Sequence, residues 1–501
     1  MADLLQAFPL KILVIYDETE SRTAVGRASR ALCTHLEERG YQVVVAESTA
    51  DGTAVIVSDP LIGCLLLDWD LDGDAAGDQD ASLAVLRLFR SRHDTAPVFL
   101  AGERSEASNL ALEVLELADD FIWILEDTPT FIAGRIEAAL QRYSDQLLPP
   151  MFKALVNYGG MHAYAWCTPG HTGGTAFLKS PAGHMFFDYF GENLLRADLS
   201  ISMGELGSLL DHSGPIGEGE KYAARVFGAH RTYTVTNGSS TSNRVIFGAS
   251  VTDGDIALCD RNCHKSIEQA MTQTGAIPVY MVPHRNRYGI IGPIYAQALT
   301  PEALGAAIAA NPLTADANSP KPRHMIITNS TYDGLTYDVT RVIEQVGDFV
   351  DRLHFDEAWY GYARFNPLYQ NRFAMFGDPR DYTAGPTLIA TQSTHKLLAA
   401  LSQASFIHVR DGRSPIEHGR FNESFMMHAS TSPQYAIIAS NDVTAAMMDG
   451  AGGTALTSES IREAVTFRQT MGRIRKQLQD QGDWFFGTWN PDSVCDPRTG
   501  K

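Results

Sequence analysis

Short apolar runs alternate with longer amphipathic stretches along most of this chain, and that alternation constrains its fold most strongly. In the first 145 residues, five runs have the length and composition of buried strands, and Ala24–Arg39 has the apolar spacing of an amphipathic helix that ends at Gly40. The five runs are Lys11–Tyr16, Tyr41–Ala46, Cys64–Leu67, Pro97–Leu100 and Phe121–Leu125. Five β/α repeats predict a small doubly wound parallel sheet.

Acidic residues at the strand ends of this first domain permit a phospho-acceptor hypothesis, because such a sheet is of the flavodoxin or receiver type. Asp17 and Asp68 or Asp70 follow predicted strands, as the acidic pocket of a receiver domain requires. A receiver also needs a lysine after its fifth strand, where this chain has Glu126. We therefore favour a structural or assembly domain, since a fold alone assigns no activity.

The rest of the chain is predicted to form a linker and a larger α/β domain. Prolines and glycines from Leu147-Leu-Pro-Pro150 onward indicate breaks and tight turns, so residues 146–215 are interpreted as a linker after the N-terminal domain (1–145). Strand-like runs resume in residues 216–440, the predicted cofactor-binding core. Residues 441–501 are interpreted as the helical beginning of an incomplete C-terminal small domain.

The acidic composition narrows the classes of partner. A formal net charge of −19 argues against nucleic acid, which is bound by basic surfaces. No apolar run reaches the ~18 residues of a membrane helix, and the N-terminus lacks the pattern of a secretory signal. Six widely spread cysteines favour reduced thiols, so a cytoplasmic protein is expected. The charge also permits an acid-sensing role, in which repulsion between copies weakens as carboxylates are protonated.

Two segments place a lysine and an aspartate after predicted strands. The run that begins at Thr387 leads through a polar turn to Lys396, which can form a Schiff base, while Ser393 offers a hydroxyl to a phosphate. Asp356 follows a buried strand, where a carboxylate is costly unless a cation faces it. The pyridinium nitrogen of pyridoxal phosphate is such a cation, although a capping or ion-paired aspartate is the simpler alternative. Glu357 is expected to point away, because neighbouring strand residues face opposite sides.

Two further segments can bind an anion and cover a ring. Thr234–Asn243 predicts a strand, a Gly/Ser/Thr turn and a helix whose first N–H groups can bind a phosphate, although a simple helix cap also explains the turn. His264 follows the strand Ile256–Cys259 and can lie flat on a cofactor ring. Cys259 and Cys263 form a Cys-x3-Cys pair, but no second ligand pair accompanies it, so no metal is expected.

The order of these motifs (anion turn, stacking histidine, aspartate, Ser-x-His-Lys) is that of the aspartate-aminotransferase fold, fold type I of the pyridoxal-phosphate enzymes. The whole chain resembles the inducible bacterial lysine, ornithine and arginine decarboxylases, and within them the acid-inducible arginine branch. The segments that carry the resemblance are Cys167–Gly174, Leu206–His212, Glu220–Gly228, Asn286–Tyr295, Trp359–Pro367, Ser393–Ser405 and Asp496–Lys501. The chains of that family continue further, so this sequence is expected to lack their C-terminal region.

The resemblance implies pyridoxal 5'-phosphate on Lys396, with Asp356 at the ring nitrogen and His264 stacked on the ring. It also implies phosphate contacts from Ser240, Thr241, Ser393 and His395. Trp359 is expected to lie beside the phenolic oxygen of the cofactor. Thr431 and Ser432 are expected to reach the phosphate of a partner subunit, because active sites in this fold lie at a dimer interface. Homodimers assembling into a decamer are the expected state.

The implied reaction is decarboxylation of L-arginine to agmatine and carbon dioxide. Each turnover consumes a proton, so a role in acid resistance is expected. Three alternatives remain: the same chemistry on lysine or ornithine, an aminotransferase, and a non-catalytic assembly or regulatory protein built on the N-terminal domain. An aminotransferase would usually carry an arginine that clamps the α-carboxylate, a group that a decarboxylase must lose.

Overall fold

The N-terminal domain is built on a five-stranded parallel sheet. The computed structural model describes residues 10–17, 21–69, 71, 79–102, 110–161, 166–200, 204–479, 481–482 and 488. The strands are β1 (Lys11–Ile15), β2 (Gln42–Ala46), β3 (Ile62–Asp68), β4 (Val98–Ala101) and β5 (Asp120–Ile122). Their order, β2-β1-β3-β4-β5, is the flavodoxin order, with its switch point between β1 and β3. The predicted doubly wound domain is confirmed.

Helices cover both faces of this sheet, because its strands are apolar on both sides. They are α1 (Ala24–Glu38), α2 (Thr49–Ser58), α3 (Gln79–Arg90), α4 (Leu112–Leu117) and α5 (Pro129–Leu147). Along β3, Leu65 and Leu67 enter one core cluster, while Cys64 and Leu66 enter the cluster on the opposite face.

The fifth predicted strand, Phe121–Leu125, is wrong at its C-terminal end. The strand stops at Ile122, and the chain turns there, with the N–H groups of Glu126 and Asp127 donating to the Trp123 carbonyl at 3.1 and 3.0 Å. Such a turn removes the following residues from the ladder of β4, although their apolar character continues.

Two of the three acidic residues that were predicted at strand ends of this domain lie within the described residues. Asp68 is buried at the end of β3, and Asp17 is exposed just after β1. Asp70 lies outside the described residues. The phospho-acceptor hypothesis therefore stays a prediction.

Three helices occupy the segment interpreted as a linker: α6 (Pro150–Gly160), α7 (Pro181–Phe190) and α8 (Glu192–Arg196). Met151, Leu155 and Tyr158 of α6 belong to a core cluster of the following domain. By contrast, α7 buries none of its side chains. The segment thus includes a helix that is packed as tightly as a core element, and its limits at 146 and 215 stay a prediction.

The larger domain is built on a seven-stranded mixed sheet in the order β6-β12-β11-β10-β9-β7-β8. The strands are β6 (Arg231–Val235), β7 (Ile256–Asp260), β8 (Ile277–Met281), β9 (His324–Thr328), β10 (Arg352–Asp356), β11 (Thr387–Gln392) and β12 (Ser405–Arg410). Only β12 runs antiparallel to its neighbours, β11 and β6. The predicted α/β class, with a large core domain of the aspartate-aminotransferase type, is confirmed.

The helices of this domain pack on both faces of the sheet and continue beyond it. They are α9 (Gly214–Phe227), α10 (Gly238–Ser250), α11 (Lys265–Thr274), α12 (Pro301–Ala310), α13 (Val339–Val346), α14 (Thr394–Leu397), α15 (His418–His428), α16 (Tyr435–Met448) and α17 (Gly450–Gln479). Every residue of the central strands β10 and β11 is buried, as expected for strands covered on both faces. No helix in the described ranges is both long and apolar enough to cross a bilayer.

Candidate active site

The candidate site lies where parallel strands end. β6, β7, β10 and β11 run in the same direction, so their carboxyl ends meet at one edge of the sheet. Ligands of open α/β sheets bind at this edge. The residues that follow these strands are the turn before α10, the segment before α11, Asp356 itself and the turn that carries Lys396.

Asp356 is a buried carboxylate at the end of β10, only 5% exposed. Its Oδ1 accepts the Ala358 N–H and its Oδ2 accepts the Asn243 side-chain N–H, both at 3.2 Å. Burial raises the pKa of Asp356, while these hydrogen bonds and the nearby charges of Lys396 and His264 oppose the rise. A carboxylate in this position is best stabilised by a further cation at its open side.

Lys396 follows β11 on the short helix α14 and is half-buried. Its Nζ lies 4.6 Å from the centroid of the Trp359 ring. Burial lowers the pKa of Lys396, and the charge of Asp356 opposes this. A lowered pKa increases the fraction of free amine near neutral pH, which is the nucleophilic form.

His264 caps the N-terminus of α11, and its Nδ1 receives two hydrogen bonds from Ser266. The Ser266 N–H donates at 3.2 Å, and the Ser266 hydroxyl lies at 2.9 Å. Burial lowers the pKa of His264; the charge of Asp356 opposes this, and those of Lys396 and Lys265 add to it. The ring is therefore neutral at physiological pH, as suits stacking on a cofactor.

An anion can be bound between the start of α10 and the turn after β11. Asn237, the residue that precedes α10, makes no side-chain capping hydrogen bond, and Gly238 adopts a φ of +77° that favours glycine. Ser393 Oγ is buried and has no hydrogen-bond partner within the described chain. The Gly238 N–H donates to the Gln403 carbonyl at 2.8 Å. Further helix N–H groups without a side-chain cap, together with an unpaired buried hydroxyl, are the kinds of donor that a phosphate requires.

The other predicted phosphate ligands, Ser240, Thr241 and His395, differ in whether their polar atoms are already hydrogen-bonded. Ser240 is half-buried in the first turn of α10, whereas the Thr241 hydroxyl already donates to the Asn237 carbonyl at 3.1 Å. The Nδ1 of His395 lies 2.7 Å from the Ala404 carbonyl, so it donates there and leaves Nε2 free of that bond.

Thr431 and Ser432 are exposed in the loop between α15 and α16. No hydrogen bond joins either side chain to the site within the described part of this chain. Their predicted contact with a partner subunit stays a prediction.

Glu357 points away from Asp356, as the strand geometry predicted. It is fully buried and accepts hydrogen bonds from Asn329 Nδ2 (3.1 Å), the Ala374 N–H (2.7 Å) and Gln392 Nε2 (3.0 Å). Burial raises its pKa to about 7, against these three hydrogen bonds. None of these three hydrogen bonds involves the Asp356 carboxylate, whose donors are Asn243 and the Ala358 N–H.

Three buried polar residues at this edge were not singled out from the sequence. They are Asn243 on α10, Ser266 on α11 and Thr391 on β11, and hydrogen bonds connect them to Asp356 and His264. The available signal was an amide just before the apolar run Val245–Phe247 of a predicted helix, which suggests a polar group turned towards the interior.

Comparison with known proteins agrees with this architecture. Residues 149–499 match the major domain of the Orn/Lys/Arg decarboxylases, and residues 24–143 match their N-terminal domain. Among curated proteins, the biodegradative arginine decarboxylase of Escherichia coli (strain K12) is 51% identical over 98% of this chain, which covers 65% of that protein. A lysine decarboxylase of Pseudomonas aeruginosa is 44% identical over 96% of this chain and is covered to 64%.

A solved structure, lysine decarboxylase A from Pseudomonas aeruginosa, superposes with a TM-score of 0.88 at 43% identity, covering 97% of this chain and 65% of that one. The chain thus spans about 65% of the length of the relatives that it matches. Both domain matches and the full-length similarity to these relatives lead to one conclusion: the chain belongs to the Orn/Lys/Arg decarboxylase family.

Proposed function

We propose that this protein decarboxylates a basic amino acid with pyridoxal 5'-phosphate, and that the substrate is L-arginine, which yields agmatine and carbon dioxide. One observation carries the proposal. A half-buried lysine with a lowered pKa (Lys396), a buried carboxylate (Asp356) and a neutral imidazole (His264) follow three strands whose carboxyl ends share one edge of the sheet. Membership in the family supports the reaction class.

The residues of the site fit the cofactor. The unpaired, buried Ser393 hydroxyl and the uncapped start of α10 suit a phosphate, and buried Asp356 suits a protonated ring nitrogen. When bound, pyridoxal phosphate supplies an electron sink for the carbon–carbon bond that breaks.

Each side chain then has a defined task. Lys396 Nζ would provide the amine that attaches the cofactor, and it could carry a proton to or from the substrate. The buried Asp356 carboxylate would pair with the ring nitrogen and favour its protonated form. His264 would cover the ring as a neutral group, and Trp359 contacts the amine of Lys396. Ser393, with Ser240 and Thr241, binds phosphate.

The choice of arginine rests on similarity. Identity to the arginine enzyme of Escherichia coli is 51%, against 44% for the lysine enzyme of Pseudomonas aeruginosa. A guanidinium is best recognised by a carboxylate that accepts two hydrogen bonds. Lysine and ornithine are the alternative substrates.

Competition between the three amino acids tests the proposal. Purified protein with pyridoxal phosphate is given equal arginine, lysine and ornithine, and the products are separated by mass spectrometry. Agmatine as the main amine supports the proposal. The diamine of lysine or ornithine would contradict the substrate, a keto acid would indicate an aminotransferase, and no product without cofactor absorbance would favour a non-catalytic assembly protein.

The proposed state is a cytoplasmic homodimer with shared active sites, assembling into a decamer and serving acid resistance by consuming protons. The exposed apolar face of α7 supports a partner copy. Four large apolar side chains are exposed on one contiguous surface of this helix: Met185, Phe186, Tyr189 and Phe190. Trp166, which is nearby in sequence, is 96% exposed. Apolar surface of this kind marks an interaction site.

A further inference from the structure

Asn243 occupies the junction of the hydrogen bonds behind the site. It lies on α10, is 1% exposed, and uses both ends of its amide. Its Nδ2 lies 3.0 Å from Ser266 Oγ and 3.2 Å from Asp356 Oδ2, and its Oδ1 accepts the Thr391 hydroxyl at 2.8 Å. All three partners are buried and come from β10, β11 and α11.

The donor and the acceptor of each hydrogen bond in this network can be assigned. Thr391 has one hydroxyl hydrogen and gives it to Asn243, so it must accept from His354 Nε2 at 2.9 Å. Burial lowers the pKa of His354 to about 3, so that ring is neutral and carries its single hydrogen on Nε2. The hydrogen bonds therefore run from His354 through Thr391 to Asn243.

From Asn243 the chain divides into two branches. One amide hydrogen goes to Asp356, and a donor at that oxygen favours the ionised carboxylate. The other goes to Ser266 Oγ, whose own hydrogen is then available for His264 Nδ1. Because the Ser266 N–H also donates to Nδ1, that nitrogen is an acceptor, and the neutral His264 ring carries its hydrogen on Nε2.

The Asp356 carboxylate, which when ionised can only accept, distinguishes the two orientations of the amide. A flipped Asn243 would turn its carbonyl oxygen towards Asp356 and its NH2 group towards Thr391, so that acceptor would face acceptor in a buried place. Such a mismatch is costly where water cannot compensate.

We propose that Asn243 is a positioning residue of this active site, which holds the Asp356 carboxylate and, by orienting the Ser266 hydroxyl towards His264 Nδ1, reinforces the tautomer that the Ser266 N–H favours. The group that pairs with the ring nitrogen and the group that covers the ring are thereby coupled. The inference rests on the proposed function, because it concerns the cofactor of that same site.

A matched pair of substitutions at Thr391 tests this chain. Thr391→Val removes only the hydroxyl and preserves the shape, whereas Thr391→Ser retains the hydroxyl. Ser266→Ala interrupts the second branch. Ser242→Ala is the control, because Ser242 is buried on the same helix but its hydroxyl is hydrogen-bonded to Ser405 (2.9 Å) and not to any member of the Asn243 hydrogen-bond network. Circular dichroism and thermal melting establish that each variant folds.

Two readouts separate positioning from mere packing. The first is the pH midpoint of the visible absorbance of bound pyridoxal phosphate, which reports the protonation of the site without substrate. The second is the division of the effect between kcat and KM. Thr391→Val and Ser266→Ala are expected to shift the midpoint by about half a pH unit or more and to lower kcat about tenfold with KM within about twofold. Thr391→Ser and Ser242→Ala are expected to match wild type.

The outcomes are distinguishable. If wild type binds no pyridoxal phosphate, the proposed function fails, and the inference fails with it. If wild type binds the cofactor but Thr391→Val and Thr391→Ser share one midpoint and one kcat, the inference alone is overturned. Should Thr391→Val not fold, Ser266→Ala decides: an unchanged midpoint overturns the inference, and a shifted midpoint with Ser242→Ala unchanged supports it.

Discussion

The amine of Lys396 lies over the indole ring of Trp359, with Nζ 4.6 Å from the ring centroid. An aromatic face stabilises a cation at this distance, while burial of Lys396 lowers its pKa. Trp359 is 36% exposed, and its ring also contacts the ring of Tyr332 in a T-shaped arrangement, with centroids 5.4 Å apart. The reactivity of the lysine is therefore set by two opposing effects.

Removal of the aromatic face should lower the pKa of Lys396 further. Trp359→Leu is expected to lower it by roughly half a unit, since an exposed cation–π contact contributes about 0.5–1 kcal/mol. Trp359→Phe retains an aromatic face and should differ less. The measurement is the pH dependence of the rate at which pyridoxal phosphate attaches. Identical profiles for the Leu and Phe variants would show that the ring contributes no cation–π stabilisation.

Borohydride reduction should fix pyridoxal phosphate to Lys396, because this amine follows the carboxyl end of β11 and its pKa is lowered. Peptide mapping should find the label there, and Lys396→Arg should abolish it. Lys265→Arg is the control. Lys265 is an exposed lysine next to His264 in the sequence, and its replacement should not affect labelling. A label on Lys265 or Lys221 would disprove the assignment.

Asp356→Asn retains the shape of the side chain but removes the charge that keeps the ring nitrogen protonated. Turnover should fall on the order of 10²-fold or more, which corresponds to ~3 kcal/mol of transition-state stabilisation. Visible absorbance establishes that the variant still binds the cofactor. Near-normal turnover with cofactor bound would assign the electron-sink role to another residue.

Stability should depend on pH through Asp442 of α16, whose carboxylate accepts the N–H groups of Met151 (2.8 Å) and Phe152 (3.0 Å) at the start of α6. Burial raises its pKa to about 6, against these two hydrogen bonds. The folded protein therefore binds this proton more tightly than the unfolded chain, where an aspartate titrates near ~4. Its contribution favours folding below about pH 4, weakens as pH rises to about 6, and is constant above.

Asp442→Asn preserves an acceptor for α6 and removes this titration. The variant should lose less stability than wild type between about pH 4 and pH 6.5, by about 2–3 kcal/mol, measured by urea unfolding at both pH values. Asp348→Asn, at a fully exposed aspartate, is the control and should behave as wild type. Parallel pH dependence in wild type and Asp442→Asn would contradict the assignment.

Acid should promote assembly if the N-terminal domain joins dimers. At pH ~7.5 the net charge of −19 makes copies repel each other, and towards pH ~5 exposed histidines and crowded carboxylates take up protons. Buried His354 and His408, whose pKa burial lowers to about 3, stay neutral. Groups whose pKa rises on association bind protons as the assembly forms, so lower pH favours the assembly.

Salt at neutral pH should partly mimic acid, because it screens the repulsion between copies. Sedimentation at pH 5 and pH 8, with and without residues 1–145, measures this; pH-independent assembly would refute it.

The sequence by itself determined the elements and the order of the site motifs. Strand-length apolar runs predicted the strands of the N-terminal sheet and most strands of the larger sheet, because burial on two faces leaves a continuous local signal. The edge strand β8 was not among them. The positions of Lys396, Asp356 and His264 after strands followed from the same runs. Apolar periodicity depends only on residues that are close in sequence, so the sequence alone was sufficient to predict these positions.

Tertiary structure decided which polar groups meet. Thr391 and Asn243 are 148 positions apart, and Asn243 and Asp356 are 113 apart, yet each pair is hydrogen-bonded. Likewise, the antiparallel direction of β12 and the packing of α6 on the core arise from strand order and distant contacts. A local pattern shows that a buried amide needs partners, but only the folded chain, which excludes water from that place, selects them.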